Sequence, residues 1–516
     1  MNNVPAILRS LIIYVVCVPL AFFIGYLLTN PLDYSTFATF GVLALVLMFP
    51  LLLRYHYPWL VFSWYAGIVL FFLKGSPSLW LALVALSLGI SVLEGILNPE
   101  KHFIRVPQLT WPLIFMLAVV VITARLTEGF GLRSYGGEVY GGRKYIFLIA
   151  GILGYFALTA RRIPLEKARL YMALYFLGTT VGAIGDFYLV APSWLRPIFW
   201  FVPPSGNFSI MDNSFELGVT RLGNISAAGF GITCWLMAKY GLGGVLFSGK
   251  VWQKALFFLA FVTLFLGGFR YQLMSFAVVF TMLFLAEGLH RTRALLAFML
   301  AGTLVVVTII PLASHLPFTF QRALAFLPLN LSTEARDSAK DSSEWRVNMW
   351  KALLPQIPQY LLLGKGYAIT MEDFESMGTD TAFRSVDPSG QGLALSGDYH
   401  NGPLSVVIPF GIWGVIAFLW LMLASLRVMY CNFRYGDGSL RTINTYLWAS
   451  YLFLLFRFIF IYGGLSGDML LFASTIGFSI ALNGGVCRPA PQPVQARQPR
   501  VHLAKILPRA RPAFQR

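Results

Sequence analysis

The feature that most constrains this chain is a succession of fourteen apolar stretches, each near the roughly 20 residues that a helix needs to cross a hydrocarbon core. They lie near 9–29, 36–53, 58–73, 78–97, 108–125, 143–160, 168–190, 217–238, 252–268, 270–288, 293–313, 402–427, 443–462 and 464–482. Lipid satisfies no backbone polar group, so such stretches read as α-helices. The alternating ten-residue pattern of a membrane β-barrel is absent. Composition agrees, with 57% hydrophobic and 12% charged residues among 516, where soluble domains carry about 25% charged. A soluble enzyme, a disordered chain and a disulfide-stapled secreted module are excluded. The expectation is an all-α polytopic membrane protein with about 14 transmembrane helices (12–14).

The net charge of +17 is first a matter of topology. With both termini cytoplasmic, the inner side receives 23 of the 39 Lys and Arg residues, among them Arg54, Arg161, Arg162, Arg291 and Arg434. That is the positive-inside bias, and it leaves no call for a nucleic-acid partner. Residues 1–486 then form a single transmembrane domain interrupted by one large periplasmic loop, 314–401. The loop holds ten of the 22 carboxylates. The stretch 487–516 has six prolines, seven basic residues and no acid, and reads as a disordered basic cytoplasmic tail on the membrane surface. The first span has no small-residue cleavage site and reads as a retained anchor. None of the four cysteines lies in the outer loop, and no Cys/His spacing suits zinc.

Few ionisable residues fall inside spans: Glu94, Asp186, Arg221, Arg457 and Asp468. Each is a functional candidate or a structural pair within the bundle. On the outer face, His400 stands in Asp398-Tyr-His-Asn-Gly-Pro403, where the long loop re-enters the membrane. A histidine there can take a proton from a hydroxyl, or simply cap the next helix. Arg270 follows Gly267-Gly268 at a tight outer turn, and Arg221 opens the eighth span from the same side. Asp341 and Glu344 have capping-box spacing, which predicts a short helix over 344–354 with Arg346, Trp350 and Leu353 on one face. Guanidinium groups at headgroup depth bind phosphate oxygens bidentately, although each arginine alone also reads as a snorkelling interface residue. Together these residues suit a lipid-linked diphosphate whose glycan projects outward. No Asp-x-Asp metal motif occurs outside the membrane; Asp373-Phe-Glu375 is the nearest. No metal or other cofactor is expected.

Arg346-x-x-x-Trp350, Gly364-Lys-Gly366, His400-Asn401 and Gly411-Ile-Trp-Gly414 follow one another in that order. This ordered set resembles the bacterial O-antigen ligase and O-antigen polymerase family of polytopic glycosyltransferases, over about 215–425. The resemblance implies a GT-C-like enzyme of the bacterial inner membrane, working in O-antigen, lipopolysaccharide or exopolysaccharide assembly. It implies an undecaprenyl-diphosphate-linked glycan donor and an inverting, metal-independent transfer at the periplasmic face. The acceptor would be lipid A-core, another glycan or a protein hydroxyl. Arg270 and Arg346 would hold the diphosphate with Arg221 nearby, His400 would be the base or would orient the acceptor, and Trp350 and Asn401 would help bind substrate. Two other readings compete. A polysaccharide flippase of the same pathway would have repeated halves and short loops, which this chain lacks. A structural scaffold does not account for cations and a histidine on one face.

Overall fold

The computed structural model describes residues 34–100, 102–127, 141–205, 221–369 and 399–489, with 14–15, 17–23, 25, 130 and 397 besides. The expected first span is therefore seen only in part. The middle of the long loop with Asp373 and Glu375, and nearly all of the basic tail, lie outside the described residues. Among those residues the fold is all-α, with one isolated bridge between Val69 and Ser78.

The helices are α1 (Tyr34–Ser63), α2 (Leu79–Leu97), α3 (Pro107–Leu126), α4 (Gly142–Thr159), α5 (Ala168–Leu177), α6 (Gly223–Gly243), α7 (Val251–Thr263), α8 (Arg270–Ala286), α9 (Ala294–Leu312), α10 (Phe318–Leu324), α11 (Thr333–Leu353), α12 (Gly402–Tyr435), α13 (Arg441–Phe456) and α14 (Leu465–Asn483). Nine helical stretches among the described residues are long and apolar enough to cross a membrane, and Val251–Gly267 and Arg270–Ala286 are shorter apolar helices. The chain is thus a polytopic helical membrane protein.

Two expected helices differ in form. The spans at 36–53 and 58–73 are two arms of α1, which breaks at Tyr55 (φ −116°, ψ 23°). The helix kinks there, and Gly41 on the first arm abuts Phe72, beyond the end of α1. The second arm is helical only to Ser63. Gly67 and Gly75, both at positive φ, then carry it through an irregular stretch. Its backbone groups are satisfied by protein, as in Val69 N–H to Phe201 C=O at 2.7 Å, which is the condition for irregular backbone at membrane depth.

The second difference is α11. The short helix expected over 344–354 is the C-terminal half of a 21-residue helix. Its cap is Ser332, whose hydroxyl accepts from Ala335 N–H at 3.3 Å, with Glu334 in the first turn. Asp341 and Glu344 are mid-helix, and Glu344 pairs instead with Lys340 at i,i+4 spacing, 3.7 Å.

α14 is central, with 78% of its apolar window buried, while none of the window of α9 is. The span carboxylates are structurally engaged. Glu94 pairs with Arg161, and Asp468 with Arg457. Asp186 accepts from Ile225 N–H at 2.8 Å in the first turn of α6.

Candidate active site

Four helices begin at one end of the bundle, and the candidate residues stand at or beside those beginnings. Leu222 N–H donates to Leu266 C=O at 3.1 Å, which fastens the start of α6, and Arg221 beside it, to the turn before α8. Arg221 is buried, 8% exposed. That turn ends at Gly268 in left-handed geometry (φ 62°), and Arg270 is the first residue of α8. A cation at a helix N-terminus opposes the helix dipole, which carries about half a positive charge there. Arg270 is therefore not placed for the helix's own benefit.

Arg270 reaches across to α11, where its guanidinium donates to Ser343 Oγ at 3.2 Å. Ser343 and Arg346 are three residues apart and share a face, so the two arginines are brought together, near enough for their charges to oppose each other. Burial lowers the Arg346 pKa from its ordinary value, and Tyr462 acts in the opposite sense. The Arg346 Nε is buried without a hydrogen-bond partner. Among the described residues no carboxylate pairs with Arg270 or Arg346.

His400 arrives from the other side. Its backbone is left-handed (φ 49°), a conformation uncommon outside glycine that costs about 1–3 kcal/mol when held by surrounding structure. The holding is visible. Trp350 Nε1 donates to Tyr399 C=O at 2.8 Å, and Trp350 packs on the cluster of Met349, Leu353, Tyr399, Leu404 and Ile408. On the other flank, Asn401 caps α12, its Oδ1 accepting from Leu404 N–H at 3.0 Å. The indole N–H of Trp350 and the amide oxygen of Asn401 thus serve to place His400. The imidazole lies between two rings, 5.4 Å from Trp345 and 5.0 Å from Tyr462.

The two glycine motifs meet each other. α12 breaks at Gly411 (φ 59°, ψ −154°), and the returning loop pairs with the break. Lys365 N–H donates to Ile408 C=O at 2.8 Å, Gly366 N–H to Pro409 C=O at 3.0 Å, and Ile412 N–H to Leu361 C=O at 2.7 Å. A Cβ on Gly364 would collide with the Pro409 carbonyl, and one on Gly411 with that of Leu361.

A cavity of about 250 Å³ within the bundle has Tyr271, Gln272, Arg457 and the Tyr65 and Tyr175 rings in its wall. Tyr271 also stacks on Tyr462 at 6.2 Å, so the cavity borders the arginine–histidine cluster. No group of three His, Cys, Asp or Glu side chains fit to hold a metal occurs among the described residues.

Trp345 and Tyr462 were not among the expected site residues. The sequence signals were slight: an aromatic residue beside Arg346, and a Tyr-Gly-Gly between two spans.

Residues 255–419 match the family model described as O-antigen ligase. The resemblance carried by the ordered motifs thus holds over this stretch, which includes Arg270, Arg346, Trp350, His400 and Asn401 and leaves Arg221 outside. No curated protein matches the chain. The match supports glycan transfer of the O-antigen ligase and polymerase type by a multi-pass membrane protein.

Proposed function

We propose that this O-antigen ligase-like chain transfers a glycan from an undecaprenyl diphosphate carrier to an acceptor hydroxyl at the periplasmic face of the inner membrane. Both termini are then cytoplasmic. One observation carries the reading: Arg270 and Arg346 come together without a carboxylate partner among the described residues, where α6, α8, α12 and α14 begin. Arginines and helix N-termini favour an anion in concert. In this reading Arg270 and Arg346, with Arg221 nearby, hold the diphosphate and stabilise it as it leaves. His400 accepts the proton of the acceptor hydroxyl as that oxygen attacks the anomeric carbon. The new glycosidic C–O bond forms as the bond to phosphate breaks, the configuration inverts, and undecaprenyl diphosphate departs. The arginines supply the positive charge, so the transfer proceeds without a metal. Trp350 and Asn401 contribute by placing His400.

A deletion strain whose polysaccharide is resolved by size tests this. Loss of attachment with lipid-linked chains accumulating identifies a ligase, and loss of long chains with single units retained identifies a polymerase. Unchanged assembly with failed translocation identifies a transporter and overturns the proposal.

A further inference from the structure

The ring of Tyr462 touches both partners of the proposed chemistry. Its centroid is 6.0 Å from the Arg346 Cζ and 5.0 Å from the His400 ring, and Tyr271 stacks on it at 6.2 Å. The backbone explains how it gets there. α13 ends in a π-helical turn, Arg457–Ile461, a local widening that recurs at functional sites. Tyr462 follows in extended geometry (φ −167°, ψ 128°), its N–H donating to Arg457 C=O at 2.9 Å. Gly463 then lies against Gly402, the first residue of α12. A Cβ on Gly402 would collide with the Phe458 carbonyl, and one on Gly463 with Phe458 and the Gly402 Cα. This close approach of two backbones sets Tyr462 beside His400, two residues before Gly402. The α13–α14 turn is outside 255–419, the part of the chain matched by the family model.

We propose that Tyr462 is a positioning residue of this site, its ring fixing the His400 imidazole and the Arg346 guanidinium relative to each other. It acts through those two groups and rests on the transfer reading above. Two ring contacts carry the role: a cation lies over its face, and an imidazole packs against it. The role proposed is that of the ring, so phenylalanine should keep it and an aliphatic side chain of similar bulk should not.

The test compares full-length Tyr462→Phe and Tyr462→Leu in membranes supplied with lipid-linked glycan from the host cell. Initial transfer rates are measured against donor concentration and pH, alone and combined with His400→Ala. The expected result is a rate within about 3-fold of the parent for Tyr462→Phe. Tyr462→Leu should lower kcat by at least ~10-fold and alter the pH profile. In the His400→Ala background, Tyr462→Leu should have little further effect, because residues that act as a unit are not additive. Equal losses for Phe and Leu, unchanged activity in Leu, or losses that add to that of His400→Ala would each overturn the proposal. Should Tyr462→Leu fail to fold, the Phe variant decides, since a ~10-fold loss there contradicts a role carried by the ring. Failure of the transfer reading itself shows separately, as full activity in His400→Ala and Arg346→Ala.

Discussion

Arg457 and Arg346 both lie near the same aromatic pair, Tyr271 and Tyr462, yet the protein treats them in opposite ways. Arg457 is paired with Asp468, whose second oxygen accepts from Gly464 N–H at 2.9 Å. Asp468 sits in the first turn of α14, where a carboxylate complements the helix dipole. The Arg457 Nε, like that of Arg346, has no hydrogen-bond partner, but the charge of Arg457 is matched, and the pair fastens α13 to α14. Arg346 has a buried Nε without a partner, a second arginine nearby and an aromatic face, but no carboxylate among the described residues. One arginine is consumed by the fold. In the proposed reading, the other meets the anion of the substrate.

Breaking the paired arginine should have the largest effect on stability. Asp468→Ala leaves the Arg457 charge buried alone and should destabilise the protein by about 3–5 kcal/mol, read as a lowered unfolding midpoint in detergent. Replacing both partners with apolar residues of similar volume should recover most of that loss. Destabilisation in the double variant equal to that in Asp468→Ala would remove the contrast. Trp350→Phe should cost about 1 kcal/mol, the net worth of one hydrogen bond, and lower transfer several-fold by loosening His400. A transfer rate equal to the parent would show that the bond to Tyr399 does not position the histidine. Glu344→Gln breaks only the exposed pair with Lys340, so it should change stability by less than about 0.5 kcal/mol and leave transfer unchanged.

The bundle was legible in the sequence because crossing lipid imposes length and hydrophobicity on each helix separately. The spans carrying Leu79–Leu97, Pro107–Leu126 and Leu465–Asn483 fall within a few residues of the stretches read from composition. The helix around Arg346 was misjudged in length. Asp341-Ser-Ser-Glu344 has the residues of a helix start, but the upstream cap at Ser332 had already begun the helix, and local spacing does not show which cap wins. Arg270, Arg346 and His400 were legible as types at one face, because charges are so few that each stands out. Their convergence was expected from that shared face, but the contact behind it was not, since Arg270 and Ser343 are 73 residues apart in sequence. Gly364-Lys-Gly366 carried no weight by itself, and its pairing with the break in α12 depends on contacts across a long loop. Tyr462 had no signal beyond two following glycines, and its role depends on the close approach of Gly402 and Gly463.

The contrast between the two arginines is tested most directly by Arg346→Ala, with transfer from a polyprenyl-diphosphate-linked glycan and the unfolding midpoint measured on the same reconstituted protein. Removing a group that stabilises the leaving diphosphate should lower transfer by at least ~10²-fold while the midpoint stays within a few degrees of the parent. Transfer at the parental rate, or a midpoint lowered as far as in Asp468→Ala, would contradict the assignment of Arg346 to the substrate.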